Sequence, residues 1–254
     1  MVLNTQQTGR MLTLTISRPA ERNAIDRELL TSLADAFARA ESDPGVRVVA
    51  IQGQPGVFCT GTDFSGGAEA QADGASAVEE SARLYFRTLR AFTESSKIVV
   101  ALVEGETQAG GMGLVAASDY VICSEAATFR LPEILLGLLP ACVIPFLIRR
   151  IGFQRAYQLA LTARKLDARQ AVALGIADES SADAREGLRR FVLSVDRIPG
   201  EAVSRLKQYM SAFAALPEHA EDRAVACIAG LLQEPRSLAR VRDLMNHGMW
   251  QSNR

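Results

Sequence analysis

Residues 98–118 read IVVALVEGETQAGGMGLVAAS, and this segment decides how the chain is organised. The β-branched run 98–105 predicts a buried strand, and the small apolar residues from Leu114 onwards predict a closely packed helix. The glycines between them let the backbone approach a ligand and leave unpaired N–H groups at the start of the helix. Such a turn can stabilise an anion, including one that forms only in a transition state. A glycine turn that only packs a helix on a strand is the alternative.

Composition excludes several classes of function. The 254 residues are 48% hydrophobic, enough for one sizeable core, and the formal charge of −1 provides no basic field for nucleic acid. The four cysteines form no CxxC pair and there are two histidines, so neither zinc, disulfides nor a His-dependent triad is expected. Neither a membrane span nor a signal peptide is expected, which predicts a cytoplasmic protein. No metal, nucleotide or flavin is predicted. Nucleotide phosphate in particular is a poor match, because both GxGxxG and Gly-Lys-Ser/Thr are missing.

The order of apolar patterns predicts an α/β core followed by helices. Met11–Pro19 alternates as a strand, Asp26 is a predicted N-cap for the next helix, and Val46–Gly53 is a second strand. After Ser181 the pattern changes to four amphipathic helices. We therefore predict a core over residues 1–190 and a helical region over 191–254. The recurring strand–strand–helix rhythm suggests a spiral of similar turns.

Two glycine turns follow two predicted buried strands. Cys59–Thr62 comes after residues 46–53, and Ala109–Gly111 comes after residues 98–105. If these strands are neighbours, a backbone N–H from each turn could converge on one oxygen, as an oxyanion hole requires. The group stabilised would be an enolate or a tetrahedral oxyanion formed from a carbonyl substrate. Two ordinary turns between a strand and a helix are the alternative.

Two carboxylates are candidates for proton transfer. Glu133 lies in the apolar sequence LPEILL, where burial would raise the pKa of its carboxyl towards neutrality. A solvated Glu in the first turn of a short helix is the other reading. Asp63, one residue beyond the first glycine turn, is either a second proton-transfer or substrate-binding group or a cap for the turn.

A locally basic segment follows Pro145. It contains Arg149, Arg150, Arg155, Arg164 and Lys165 within a chain of near-neutral charge. Such charges commonly form a solvated face, whereas a cationic rim beside a cleft would attract phosphate or an acidic carrier protein. Arg149 and Arg150 are the candidate substrate- or carrier-binding residues.

Three stretches resemble the signatures of the enoyl-CoA hydratase/isomerase (crotonase) superfamily. FCTGTDF (58–64) resembles FCAGADL, and residues 100–129 resemble the second signature, whose usual core is NGxAxGGGxE. FRLPEILLGLLP (129–140) is similar to the block FxxPExxxGxxP, and the spacing among the three fits. The resemblance covers roughly Leu12 to Glu179 and implies the crotonase fold, a ββα spiral core with a C-terminal helical subdomain that closes the site and builds trimers or dimers of trimers.

The same resemblance implies a thioester substrate on a phosphopantetheine arm and no other cofactor. By position, the N–H groups of Thr62 and Gly110 would form the oxyanion hole for a thioester enolate. Glu133 falls on one of the two catalytic glutamates of the hydratases. Gly113 falls on the other, where a Glu is expected, so ordinary two-carboxylate hydration lacks one acid/base group.

A narrower resemblance lies in VFCTGTDF (57–64) and LLPACVIPFLIRRIGFQRAY (138–157). Both look like the hydratase-like enzymes of polyketide β-branching, closest to the member that dehydrates 3-hydroxy-3-methylglutaryl-ACP to 3-methylglutaconyl-ACP, where ACP is an acyl carrier protein. The alternatives are the related decarboxylase, a generic acyl-CoA hydratase or isomerase, and a non-catalytic scaffold. If the protein is the dehydratase, Glu133 takes the Cα proton of the substrate, and Glu133, Asp63 or water protonates the leaving hydroxyl.

Overall fold

The computed structural model describes residues 1–63, 74–214 and 216–247. The strands are β1 Leu3–Thr8, β2 Met11–Ile16, β3 Val48–Gln52, β4 Gly56–Cys59, β5 Ile98–Val103, β6 Gly105–Gln108, β7 Tyr120–Ser124, β8 Thr128–Arg130, β9 Leu166–Asp167 and β10 Glu179–Ser181. The helices are α1 Arg27–Ser42, α2 Gly74–Glu94, α3 Gly110–Ala117, α4 Ile144–Ile151, α5 Phe153–Thr162, α6 Ala168–Leu174, α7 Ala184–Val195, α8 Gly200–Ser211, α9 Ala220–Gln233 and α10 Pro235–His247. A 3-10 helix spans Glu133–Leu136.

Two sheets form the core. The larger has the order β1-β2-β3-β5-β7-β10 and is parallel except for the β1–β2 pair; the smaller has the order β4-β6-β8-β9. The chain alternates between them, so that β3-β4-α2, β5-β6-α3 and β7-β8 with the 3-10 helix repeat one strand–strand–helix unit. This repetition confirms the predicted spiral. The short strands β4 and β6 were not predicted, because four residues are too few to establish a period of two.

The predicted cap at Asp26 is confirmed, and a second aspartate caps α6. The Asp26 carboxylate accepts a hydrogen bond from the Leu29 N–H at 2.7 Å and begins α1. Asp167 accepts from the Gln170 N–H at 2.7 Å, and Gly175, at φ +82°, ends α6 in the left-handed region.

Strand β1 was not predicted from the sequence. Its sequence LNTQQT is mostly polar, and β2 pairs with it on an exposed edge.

Helix α3 lies inside the molecule and positions the glycine turn. Residues 111–117 are all buried, which is the pattern of a helix that is apolar all round. Helix α2 packs on it from one side, where Leu89 lies against Gly113. The N-terminus of α3 therefore lies in the interior, next to β4 and the inner face of α2.

The C-terminal helices pack on the outside of this core. Helix α7 covers the outer face of the large sheet through Leu188, while Lys207 of α8 donates to the Lys97 carbonyl oxygen at 2.8 Å and pairs with Asp119 at 2.6 Å. Helix α10 contacts the 3-10 helix through a small apolar cluster that contains Leu136 and Val241. The division at residue 190 stays a prediction, and that residue lies inside α7. Among the residues described, we find no helix with the length and apolarity needed to cross a bilayer.

Candidate active site

The first glycine turn is held by a short parallel bridge to Ile25. The Ile25 N–H donates to the Gly61 carbonyl oxygen at 2.6 Å, and the Asp63 N–H donates to the Ile25 carbonyl oxygen at 2.9 Å. In a parallel bridge the two flanking residues make these bonds, so the N–H of Thr62 between them points to the opposite side. Gly61 itself has φ +91°, in the left-handed region that favours glycine.

The second glycine turn meets the first one directly. Gly110 is the first residue of α3, so its N–H has no acceptor within the helix. A Cβ added to Gly61 would lie 3.0 Å from the Gly110 nitrogen and 2.5 Å from the Ala109 Cβ. The two predicted turns are therefore neighbours, with two backbone N–H groups beside the same space.

Glu133 has a buried carboxyl oxygen and forms no ion pair with any residue that the structure describes. It begins the 3-10 helix after Pro132, and its Oε2 atom is buried with no hydrogen-bond partner among the described residues. Burial raises the pKa of Glu133 to about 7, offset only in part by a hydrogen bond from its own backbone N–H. A carboxyl group with this pKa can take and return a proton near neutral pH.

Tyr85 is a site residue that the sequence analysis did not identify. Its hydroxyl donates a hydrogen bond to the Gly110 carbonyl oxygen, and a Cβ added to Gly113 would overlap this hydroxyl. Burial raises the pKa of Tyr85 well above its usual value, and nearby negative charge on Glu133 raises it further. The one available signal was the glycine at position 113, where the family pattern has a glutamate.

Asp63 is fixed by a buried arginine. Its Oδ2 lies 3.0 Å from Nη2 of Arg18, whose side chain is 10% exposed and also pairs with Asp26 at 2.9 Å. The same guanidinium donates to the Ala24 carbonyl oxygen. Asp63 thus ties the first glycine turn to the segment that starts α1.

The two candidate arginines lie in different surroundings. Arg149 is exposed, whereas the Arg150 side chain is 8% exposed and pairs with Asp178. Arg150 also donates to the carbonyl oxygens of Ile176 at 2.8 Å and Ser118 at 3.0 Å. Because Ser118 follows α3, the carbonyl group that Arg150 contacts lies about 12 Å along that helix from the Gly110 turn, at 1.5 Å per residue. Its contacts are those of a structural residue.

The parts of the site differ in their chemical roles. The two glycine turns and the tyrosine hydroxyl are in contact, and the charge of Glu133, whose pKa is about 7, acts on that hydroxyl, a set suited to moving a proton next to a polarised carbonyl group. Within residues 1–63, 74–214 and 216–247, no three His, Cys, Asp or Glu side chains group in a way that could hold a metal ion.

Comparison with known proteins identifies relatives over nearly the whole chain. Residues 6–250 match the enoyl-CoA hydratase/isomerase family. The chain is 31% identical over 224 residues to the bacillaene synthase dehydratase PksH of Bacillus subtilis (88% of this chain, 86% of that protein). It is 33% identical over 180 residues to 2,3-dehydroadipyl-CoA hydratase of Escherichia coli (70% and 68%). The crystal structure of the polyketide biosynthesis enoyl-CoA hydratase PksH from Bacillus subtilis matches with a TM-score of 0.91 at 27% identity, over 98% of both chains. This match confirms the predicted ββα spiral with its C-terminal helices.

Proposed function

The chain belongs to the enoyl-CoA hydratase/isomerase (crotonase) family, and we propose that it dehydrates 3-hydroxy-3-methylglutaryl-ACP to 3-methylglutaconyl-ACP. The observation that carries this proposal is Glu133, a carboxyl group with a pKa of about 7 whose charge acts on Tyr85, the residue that is hydrogen-bonded to the Gly110 turn. The relative named as a bacillaene synthase dehydratase supports the same reaction type and a role in polyketide biosynthesis.

The first step forms a thioester enolate. The N–H groups of Thr62 and Gly110 donate hydrogen bonds to the thioester oxygen, and the Glu133 carboxylate takes the proton from Cα. Charge then develops on the oxygen that faces the two donors, where preorganised hydrogen bonds are typically worth about 3–4 kcal/mol each. The buried Oε2 atom of Glu133 favours this transfer, because that oxygen has no hydrogen-bond partner to leave among the described residues.

The second step expels the hydroxyl group from Cβ. The enolate electron pair forms the Cα–Cβ double bond, the C–O bond breaks, and the proton held by Glu133 leaves with the hydroxyl as water. Glu133 returns to the carboxylate form, so the reaction needs neither a metal nor a bound cofactor. Asp63 is less suited to this role, because its carboxylate is already engaged by the buried guanidinium of Arg18.

The partner proposed for this enzyme is an acyl carrier protein that presents the substrate on its phosphopantetheine arm. We assign Arg149, the exposed member of the arginine pair, to carrier docking, because acidic surfaces are attracted to exposed cations. The proposed assembly is a homotrimer or a dimer of trimers. Large apolar side chains that remain exposed along and just after α8 support self-association; they are Leu206, Tyr209, Met210 and Phe213.

Mass spectrometry of a loaded carrier protein tests the proposal. The carrier bearing 3-hydroxy-3-methylglutaryl should lose the mass of one water molecule when incubated with the enzyme. The decarboxylase is the second candidate, favoured by Gly113, since decarboxylation needs no acid for a leaving hydroxyl. An unchanged carrier, together with loss of carbon dioxide from 3-methylglutaconyl-ACP, would replace the proposed function with this one. Loss of water only from CoA thioesters would instead indicate a generic hydratase.

A further inference from the structure

Tyr85 occupies the space of the missing second carboxylate. A Cβ added to Gly113 would overlap the Tyr85 hydroxyl oxygen and would lie 3.0 Å from Cζ of the same ring and 2.9 Å from Cδ1 of Leu89. A glutamate at position 113 could therefore enter only if the tyrosine moved away. The glycine and the tyrosine form a complementary pair across the contact between α2 and α3.

The Tyr85 hydroxyl contacts the second glycine turn. It donates to the Gly110 carbonyl oxygen and lies 3.6 Å from the position of a Cβ on Gly110, the residue proposed to supply one oxyanion donor. Burial is the main cause of the raised pKa of this tyrosine, and the charge of Glu133 adds to it. The hydroxyl thus lies at the Gly110 turn and in the space that a side chain at position 113 would take.

We propose that Tyr85 replaces the second glutamate by hydrogen-bonding the departing β-hydroxyl group and relaying to it the proton held by Glu133. This inference rests on the proposed dehydration. In the relay, the Glu133 O–H bond breaks as a new O–H bond forms at the tyrosine oxygen, while the original tyrosine proton passes to the hydroxyl that leaves Cβ. Tyr85 ends as it began, Glu133 ends as the carboxylate, and one water is released.

The surroundings of Tyr85 favour a proton relay over a role as an acid that stays ionised after giving its proton. Tyr85 is 9% exposed. Burial raises the pKa of its hydroxyl well above the usual value, and the neighbouring groups Cys142, Cys59 and Glu133 add to this increase. A tyrosinate would be costly there, so the tyrosine must receive a proton as it gives one. A hydroxyl group can do this because it is both a donor and an acceptor.

Two reactions separate this role from a structural one. Tyr85→Phe removes one oxygen and keeps the ring. Dehydration of carrier-bound 3-hydroxy-3-methylglutaryl should fall about 100-fold, within the usual range for loss of acid–base assistance. The 3-methylglutaryl carrier has no hydroxyl to expel, so exchange of its Cα protons in deuterated water should stay close to the wild-type rate. Tyr120→Phe is the control, because Tyr120 stacks on Phe191 on the outer face of the large sheet and should retain both activities.

A second pair of variants tests the position itself. Tyr85→Ala opens the space, and adding Gly113→Glu to it returns a carboxyl group to that space. Dehydration should rise at least about tenfold from the single to the double variant, because a new acid–base group is supplied. A double variant no faster than Tyr85→Ala would overturn the proposal.

The outcomes distinguish this inference from the proposed function. Equal losses of dehydration and proton exchange in Tyr85→Phe would mean that Tyr85 only shapes the Gly110 turn, which would overturn the relay. Wild-type dehydration by Tyr85→Phe would overturn it as well. Failure of the wild-type enzyme to release water from any thioester would instead reject the proposed function. Both reactions are read by mass spectrometry on the intact loaded carrier.

Discussion

Glu133 and Asp63 are the two candidate carboxyl groups of the site, and their surroundings are opposite. Asp63 lies 3.0 Å from a buried arginine, whereas Oε2 of Glu133 is buried with no hydrogen-bond partner among the described residues. The first arrangement fixes the charged form and the geometry of a turn. The second makes ionisation costly and raises the pKa of Glu133 to about 7.

The difference shows how environment assigns roles to chemically similar groups. A carboxylate with a cation holds the chain in place, and a carboxyl group without one is able to exchange its proton near neutral pH. We therefore expect changes at Glu133 to affect turnover most and changes at Asp63 to affect stability most. The following predictions test that contrast.

Glu133→Gln should have the largest effect on activity. Turnover should fall about 10³-fold, because the amide cannot accept the Cα proton. The fold should be retained, since the change is isosteric, and thermal unfolding can verify this. Glu125→Gln, the same change at an exposed position, is the matched control and should leave turnover unchanged. A folded Glu133→Gln variant with near-wild-type dehydration would refute the role of Glu133.

Gly61→Ala should disturb the oxyanion turn. The new methyl group would lie 2.5 Å from the Ala109 Cβ, at a φ of +91°, so the turn must shift and turnover should fall about 100-fold, as for loss of one oxyanion donor. Gly56→Ala is the matched control: its φ is +88°, but no atom lies within 4 Å of an added Cβ. Both variants should lose stability, and only Gly61→Ala should lose activity. Similar turnover in the two variants would show that the close approach at Gly61 is unimportant.

The pH dependence of turnover should report the pKa of Glu133. With a pKa of about 7, kcat/KM should fall about tenfold for each pH unit below 7, because the protonated group cannot act as a base. The stability of the fold should fall as the pH rises, whereas turnover increases. The folded protein binds the Glu133 proton more tightly than the unfolded chain, in which the pKa of this group is near 4.5. The free energy of unfolding therefore falls as the pH rises from 4.5 to 7.

Glu133→Gln provides the check on this pH effect. Relative to the wild type, the variant should gain on the order of 2 kcal/mol in unfolding free energy between pH 5 and pH 8, because it has no carboxyl group to ionise. Denaturant unfolding at the two pH values measures the difference. An unchanged gap between the two proteins would show that Glu133 titrates near its usual pKa.

Asp63→Asn should affect stability more than chemistry. Asp26 remains beside Arg18, so the expected loss is about 1–2 kcal/mol, with less than a tenfold decrease in turnover. Arg18→Gln should cause a similar loss, and the double variant should lose less than the sum, because the two residues share one interaction. Loss of turnover in folded Asp63→Asn as large as in Glu133→Gln would remove the contrast between the two carboxyl groups.

Arg149→Glu should have the smallest effect. The apparent KM for carrier-bound substrate should rise about 3- to 10-fold, while that for a pantetheine thioester stays unchanged, because only the carrier has an acidic surface. Arg39→Glu, an exposed charge reversal on α1, is the control. Equal increases for the two substrates would argue against docking at Arg149. Arg150 is unsuited to this test, since its bonds to Ser118 and Ile176 would be lost.

Much of the fold follows from local pattern. The caps at Asp26 and Asp167, the helix begun by the first of them and the buried strands β3 and β5 all follow from residues close in sequence, because capping and hydrophobic periodicity are short-range effects. Strands β4 and β6 could not be predicted in this way. They are four residues long, and their pairing depends on the return of the chain to the smaller sheet.

The sequence also indicated both glycine turns, and it offered burial as one of two readings of Glu133, since glycine pairs and an apolar neighbourhood are visible in the sequence alone. Only the tertiary structure decided that the Tyr85 hydroxyl fills the space beside Gly113, that Arg18 holds Asp63, and that Arg150 binds the far end of α3. Each of these contacts joins side chains or backbone groups from separate elements. The packing of those elements sets the burial and the partners of a charged group, and these in turn determine whether it holds the fold together or moves a proton.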